Sequence, residues 1–164
     1  MCARFCSGRN DVALLARVDG EAMSHFKLRE FENADGLAMV HASTLESLER
    51  VRRDLCAEAG QDVWVIVKDA VRTPADLERL ARRLGWTDEG GVVARRSMHL
   101  AEFGGIAVDL TAVAAATRAR IPQRVLGNAC RRHFDWVKDD YADGHVHADN
   151  RERGGAAANE RKRT

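Results

Sequence analysis

The stretch GIAVDL at positions 105–110 has the alternation of a β-strand. Successive side chains of a strand point to opposite faces, so its three branched apolar residues share one face and Gly105, Ala107 and Asp109 share the other. We therefore expect Asp109 to point away from the core, over neighbours small enough to leave room around its carboxylate.

A second stretch, GHVHAD at positions 144–149, repeats this arrangement. His145, His147 and Asp149 share one face of the predicted strand, and the two apolar residues between them share the opposite face. Two imidazoles are thus predicted to project into a common space.

One residue of each segment, together with a histidine that precedes the first, can form a metal site. His99, Asp109 and His147 offer two imidazoles and a carboxylate, which can hold a tetrahedral Zn²⁺ and leave its fourth position to water. Such an open position is typical of a catalytic site. Spacing alone leaves alternatives, because His-x-His occurs in ordinary strands and a single histidine such as His99 is more often a surface or core residue.

Three amphipathic helices are predicted from their start and stop signals. A capping box of Ser43 with Glu46 opens the first, over residues 43–60. An N-cap threonine and a proline open the second, over residues 73–85, and both of these helices end at a glycine. A proline opens the third, over residues 122–133.

Further strands complete the predicted pattern. The run VWVIV at positions 63–67 is suited to a buried strand, and residues 134–138 and 145–149 are predicted to form a hairpin around 139–144. Residues 86–104 are punctuated by glycine and predict a loop. The sequence therefore predicts an α+β domain.

The length of 164 residues fits one domain. Residues 1–22 lack a sustained period and are predicted to be an irregular N-terminal arm, residues 23–151 to form the functional domain, and residues 152–164 to be a disordered tail.

The composition argues against several classes of partner. Lys and Arg total 26 and Asp and Glu total 25, so the chain lacks the strong positive field of most nucleic-acid binders. Its apolar runs are far shorter than the roughly 20 residues of a membrane-spanning helix. The N-terminus has no signal-peptide pattern. The four cysteines show no Cys-x-x-Cys spacing, which indicates neither a thiolate zinc site nor a redox motif.

Several motifs resemble one known family. SMH at 97–99, followed by GIAVD at 105–109, resembles the Ser-x-His-x-x-Gly-x-Ala-x-Asp signature of the zinc D-alanyl-D-alanine carboxypeptidases, a family that includes bacterial and phage L-alanyl-D-glutamate endopeptidases. HVHAD at 145–149 is similar to its C-terminal motif, HFKLREF at 25–31 to its opening segment, and KDAVRTP at 68–74 occupies its Ser-Gly-x-Arg region.

The resemblance implies a fold and a metal centre. It implies a small, mainly antiparallel sheet of the hedgehog and DD-peptidase type, with helices packed on one side and a zinc cleft on the other. Zinc would be held by His99, Asp109 and His147. Five residues separate His99 from Gly105, where the family signature has two, and a longer loop can still deliver His99.

The resemblance also implies catalytic roles. Asp143 is the expected general base, with Asp140 in reserve, and His145 would stabilise the oxyanion. Arg72 is suited to bind a substrate carboxylate or to support the oxyanion, because a guanidinium stays charged and presents two donors together. For Asp143 a plain turn role is equally expected, since it precedes Gly144.

The expected function is zinc-dependent hydrolysis of peptidoglycan stem peptides by a monomer that inserts into no membrane. Both D,D-carboxypeptidase and L-Ala-D-Glu endopeptidase activity fit the resemblance. Without a signal peptide, we expect a phage or prophage lysis enzyme, cytoplasmic until it is released to the cell wall, or a virion-associated peptidase. The alternative is a non-catalytic module in which zinc only stabilises a surface that binds the cell wall or another protein.

Overall fold

The computed structural model describes residues 25–85 and 97–152 in full, and outside these ranges the backbone of three short strands. In these parts the chain forms eight strands and three α-helices. The strands are β1 Cys2–Phe5, β2 Ala16–Val18, β3 Glu21–Met23, β4 Ala38–His41, β5 Val63–Asp69, β6 Ala107–Ala114, β7 Trp136–Lys138 and β8 Val146–Asp149. The helices are α1 Ala42–Ala59, α2 Pro74–Leu84 and α3 Gln123–Arg131.

A four-stranded antiparallel sheet carries the predicted strands in the order β5-β6-β8-β7. Strand β6 lies inside the sheet, and its Asp109 pairs with His147 of β8. Paired residues project to the same face, so this register brings the two side chains together. The α+β class with a small antiparallel sheet, and the hairpin of β7 and β8, are confirmed.

The apolar face of the sheet packs against α1 and α3. Residues of both helices share one buried cluster with the inward residues of β5, β6 and β8, among them Leu48, Leu126, Val108 and Val146. Helix α2 instead lines the cleft on the other face, through Leu77 and Leu80 among others. The expectation that the helices lie on one side is therefore wrong for α2.

The helix ends follow their local signals with two exceptions. Gly60 and Gly85 adopt the left-handed conformation after α1 and α2, and Thr73 caps α2 in a reciprocal capping box, as predicted. The N-cap of α1 is His41, whose ring accepts the N–H of Ser43, so Ser43 is not the cap. Helix α3 ends at Arg131, short of the predicted 133.

Strand β5 is covered on one face only. Val63 and Val65 are buried, whereas Trp64 and Ile66 are 43% and 40% exposed. The prediction of a buried strand is wrong for one face of β5, because a run of apolar residues does not reveal that one face of an edge strand meets no packing layer.

Gly105 fixes the start of β6 against β4. Its φ of +77° favours glycine, and a Cβ there would lie 2.8 Å from Cα of Val40. The N–H of His41 donates to the carbonyl of Gly105 at 2.9 Å. This close approach sets where the strand that carries Asp109 begins.

The segment predicted to be an irregular arm contains short strands. Strand β1 pairs with β4, and β2 pairs with β3. Strands of three or four residues give no sustained period, which explains why the sequence does not reveal them. The predicted tail, beyond residue 152, lies outside the described residues. Among the described helices, none is long and apolar enough to cross a membrane.

Candidate metal centre

Three predicted ligand residues meet on the polar face of the sheet. Nε2 of His99 lies 3.1 Å from Oδ1 of Asp109 and 3.0 Å from Nδ1 of His147, and that Nδ1 lies 2.9 Å from the same Asp109 oxygen. The three residues are only 2%, 8% and 8% exposed. This buried group can hold a metal ion.

His99 is positioned by a short parallel pairing outside the main sheet. Arg72 bridges to Leu100, with the N–H of Arg72 donating to the carbonyl of His99 at 2.7 Å. Nδ1 of the His99 ring lies 2.8 Å from the carbonyl of Ala70. A 3-10 helix over Ala101–Phe103 then returns the chain to Gly105, so the longer loop after His99 still delivers the side chain to the site.

His147 is held from the opposite direction. Its Nε2 lies 3.1 Å from Oδ2 of Asp149, which is fully buried. The guanidinium of Arg151 donates to both oxygens of that carboxylate, at 2.8 and 2.6 Å, and also lies over the ring of Trp136. The Trp136 ring meets the His147 ring edge-on at 5.3 Å. Carboxylate and aromatic contacts therefore fix the orientation of this imidazole.

The contacts of His99 with Ala70 and of His147 with Asp149, here called the outer contacts, decide which ring nitrogens face the centre as acceptors. A carbonyl accepts only, so Nδ1 of His99 carries a proton toward Ala70, and Nε2 of His147 likewise donates to Asp149. In the neutral rings the opposite nitrogens then hold lone pairs. Two lone pairs and a carboxylate oxygen meet about 3 Å apart, an arrangement that a cation stabilises.

The ionisation of the group agrees with this need for positive charge. Burial alone would raise the pKa of Asp109, but hydrogen bonding to His147 and His99 outweighs it and holds that pKa well below its usual range. Burial alone would lower the pKa of His147, but its bonds to Asp109 and Asp149 raise it. The pocket therefore holds a charged carboxylate, and a proton on an imidazole or a metal ion can neutralise it.

The donor set fits zinc. Bonds of about 2.0–2.2 Å at tetrahedral angles place ligand atoms roughly 3.3–3.6 Å apart, a few tenths of an ångström beyond the observed separations of 2.9–3.1 Å. Two imidazoles and one carboxylate are also a ligand set that catalytic zinc sites use. No ligand has to move far to accept the ion.

Arg72 lies beside the centre but is already engaged. Its Nη2 lies 3.2 Å from Oδ2 of Asp109, and its Nε and Nη2 lie 2.9 and 2.8 Å from Oδ2 of Asp69. The guanidinium thus holds the second oxygen of Asp109 and leaves the first oxygen turned toward the two histidines.

Asp143 and His145 form a pair at the mouth of the site. Oδ1 of Asp143 lies 2.6 Å from Nδ1 of His145, and Nε2 of the same ring lies 3.9 Å from Oδ1 of Asp109. The hydrogen bond from His145 lowers the pKa of Asp143, whose side chain is 73% exposed. Asp140, the reserve candidate, pairs with Lys138 instead.

Tyr141 stacks on the ring of His145, with ring centroids 3.9 Å apart. Burial raises the pKa of the Tyr141 phenol, so it stays protonated at neutral pH. The side chain of Gln123 donates to the carbonyls of Tyr141 and His145 at 3.1 and 2.7 Å. The turn that presents His145 is therefore held from both sides.

A cavity of about 1060 Å³ opens over the metal group. It is bounded by the polar face of the sheet, by α2 and by the turn at 139–145. It contains all six predicted site residues: His99, Asp109, His147, Arg72, Asp143 and His145. Asp140 is not among its lining residues.

Sequence reasoning assigned no role to several residues of this cleft. Alternation at 144–149 predicts the face of Asp149, and its spacing of two from His147 is the local signal for a role beside that histidine. The register of β7 puts Trp136 opposite Asp149, which a single strand pattern cannot reveal. Tyr141 and Arg120 reach the cleft through tertiary packing and gave no local signal.

No protein-family model and no curated protein matches this chain.

Proposed function

We propose that the protein is a zinc-dependent peptidase that hydrolyses peptide bonds in the stem peptides of bacterial peptidoglycan. One observation carries the metal part of this proposal. The outer contacts of His99 and His147 turn two imidazole lone pairs and the Asp109 carboxylate toward one buried point that borders a large cleft.

The number of protein ligands supports a catalytic zinc ion. Structural zinc sites close the coordination sphere with four protein ligands, whereas catalytic sites use three and leave one position open. The described residues offer three at this point, and all three line the cleft. Zinc bound here would supply Lewis-acid polarisation of a carbonyl and would lower the pKa of water.

The chain's own residues supply proton transfer and charge stabilisation. Asp143 orients His145 through Nδ1, so that Nε2, on the side of Asp109, can accept or return a proton. In its protonated form His145 also stabilises negative charge on a substrate oxygen. The expected general base Asp143 therefore acts through His145.

Arg72 has a different part in this proposal from the expected one. Its bonds to Asp69 and Asp109 favour a positioning role, in which it fixes the orientation of the Asp109 carboxylate. Its positive charge also lies within the cleft and favours an anionic substrate or transition state.

The resemblance of the motifs at 97–109 and 145–149 supports the substrate class and a hedgehog or DD-peptidase type of fold. Either the D-Ala-D-Ala or the L-Ala-D-Glu bond is a candidate, because the same metal apparatus serves both. Within this proposal the biological role is that of a phage or prophage lysis enzyme or of a virion-associated wall peptidase.

The proposal is tested by incubating the zinc-loaded protein with purified peptidoglycan and identifying released fragments by mass spectrometry. Loss of terminal D-Ala would assign carboxypeptidase activity, and cleavage after L-Ala would assign endopeptidase activity. His147→Ala removes one ligand. We therefore expect this variant to lack a stoichiometric zinc ion and to release no peptide fragments. A wild-type protein that holds one zinc ion and releases no fragment would instead support a non-catalytic, zinc-stabilised binding module.

A further inference from the structure

Four arginines line the cleft. Arg83 is an exposed residue near the end of α2, and the other three differ in what their guanidinium groups already bind. Arg72 donates to the carboxylates of Asp69 and Asp109, and Arg151 donates to both oxygens of Asp149. Arg120 donates from Nη2 to the backbone carbonyl of Asp143 at 3.0 Å. Among the described residues, no carboxylate pairs with Arg120.

The position of Arg120 is set by backbone structure on both sides. The residue forms an isolated bridge with Val113 of β6, next to the sheet face that lines the cleft. Its guanidinium lies against Gly144, where a Cβ would come within 2.9 Å of Nη2. A glycine at 144 thus gives the guanidinium its place beside the turn that carries Asp143 and His145.

A guanidinium that uses one nitrogen on a backbone carbonyl keeps further N–H donors for a ligand. These donors can bind a carboxylate in the two-pronged geometry that arginine favours. Arg120 lines the same cavity as the metal group, on the side of His145. A substrate that spans the cleft from the metal group toward the turn at 139–145 would bring a nearby carboxylate to this group.

We propose that Arg120 binds a free carboxylate of the peptide substrate and so makes the enzyme selective for stem peptides that are anionic near the cleaved bond. The proposal rests on the proposed peptidase function, and it names the chemical class of substrate that the cleft accepts. Arg72 and Arg151 hold carboxylates of the protein itself, and Arg120 holds one of the ligand.

The test compares two synthetic stem peptides that differ only in their carboxylates, which are free in one peptide and converted to carboxamides in the other. For the zinc-loaded wild-type protein we expect kcat/KM to be about tenfold higher for the free-carboxylate peptide, since hydrogen bonds to charged groups have about that strength. In Arg120→Gln this ratio should fall toward one through a higher KM for the anionic peptide. Loss of the hydrogen bond to the Asp143 carbonyl affects both peptides alike, so it does not change their ratio.

Arg118→Gln is the matched control. It removes the same charge two residues away, where the guanidinium lies 3.9 Å from the centroid of the Trp64 ring and does not line the cleft. We expect it to keep the wild-type ratio. Equal ratios in wild type and Arg120→Gln, or an equal fall in both variants, would overturn the proposal.

Calorimetric binding of the same two peptides separates this proposal from the proposed function. If neither peptide is cleaved, a tenfold preference in Kd that is lost in Arg120→Gln would still support carboxylate binding by Arg120. An absence of any preference in the wild-type protein would overturn it, whether or not turnover occurs.

Discussion

Two His–Asp pairs lie within seven residues of the chain and differ in burial and in the contacts of their carboxylates. His147 with Asp149 is buried, and Asp149 is further gripped by Arg151. His145 with Asp143 stands at the mouth of the cleft, and the carboxylate of Asp143 is 73% exposed. Each pair spans two residues in sequence, so local spacing does not distinguish them.

The difference in burial suits the two carboxylates to different roles. A buried carboxylate that is neutralised by an arginine cannot readily take up a proton, and so it fixes the orientation and tautomer of its histidine. An exposed carboxylate leaves its histidine free to exchange a proton with solvent or substrate. The inner pair is therefore suited to hold a metal ligand, and the outer pair to move a proton.

The largest effect that separates the pairs is expected from Asp143→Ala. Loss of the carboxylate removes the group that orients His145, and we expect kcat on stem peptides to fall by roughly 100-fold or more, as for general acid–base groups. Zinc content should remain at the wild-type level. Steady-state kinetics together with metal analysis measures both quantities.

Asp140→Ala serves as the control for this substitution. Asp140 belongs to the same turn but pairs with Lys138, outside the cleft, so its loss should leave kcat close to the wild-type value. A large loss of turnover in Asp140→Ala and none in Asp143→Ala would reverse the assignment of the proton-transfer pair.

The inner pair should respond in the opposite way. Asp149→Asn keeps the size of the side chain but removes the charge that supports the Nε2 proton of His147, and comparable changes weaken metal binding about 10–100-fold. Competition with a chromogenic chelator measures the zinc affinity. Turnover should return when zinc is supplied in excess, whereas excess zinc should not restore Asp143→Ala. Unchanged zinc affinity in Asp149→Asn would contradict the division between the pairs.

The strands that carry these pairs could be predicted because their information is local. Alternation at 105–110 and 144–149 assigned the faces of Asp109 and His147, and the sheet register then brought them together. Glycine and proline signals likewise gave the ends of α1 and α2 to within a residue. The burial of individual strand faces could not be predicted in this way, because nothing in the run at 63–67 reveals that β5 is an edge strand with one open face.

The parts of the site that escaped prediction depend on distant segments. Tyr141 stacks on the ring of His145, and Gln123 and Arg120 bond to backbone carbonyls of the turn. Such contacts exist only after the chain between β6 and β8 has folded back. The role of Arg72 changed for the same reason, because its bonds to Asp69 and Asp109 join residues from two strands.

A third His–carboxylate pair, remote from the cleft, offers the smallest and most selective test. Nε2 of His133 lies 2.8 Å from Oδ2 of Asp54, which also accepts from Arg132, and the three residues join α1 to the end of α3. Asp54→Asn should lower the free energy of unfolding by about 1 kcal/mol at neutral pH. Zinc affinity and turnover should stay at their wild-type values, because this pair contacts neither the metal group nor the cleft.

The pH dependence of that stability difference identifies its electrostatic origin. Burial alone would raise the pKa of Asp54, but its bonds to His133 and Arg132 lower it below the ordinary value of 3.8. A carboxyl whose pKa is lowered by folding stabilises the protein above its unfolded pKa, and this contribution is lost as the pH falls through the folded pKa. Urea unfolding of wild type and Asp54→Asn should therefore differ at pH 7 and converge as the pH falls below 3.8. A gap that persists unchanged into acid would mean that Asp54 stabilises the α1–α3 contact through packing, and that a His–Asp pair can be structural in this protein without depending on charge.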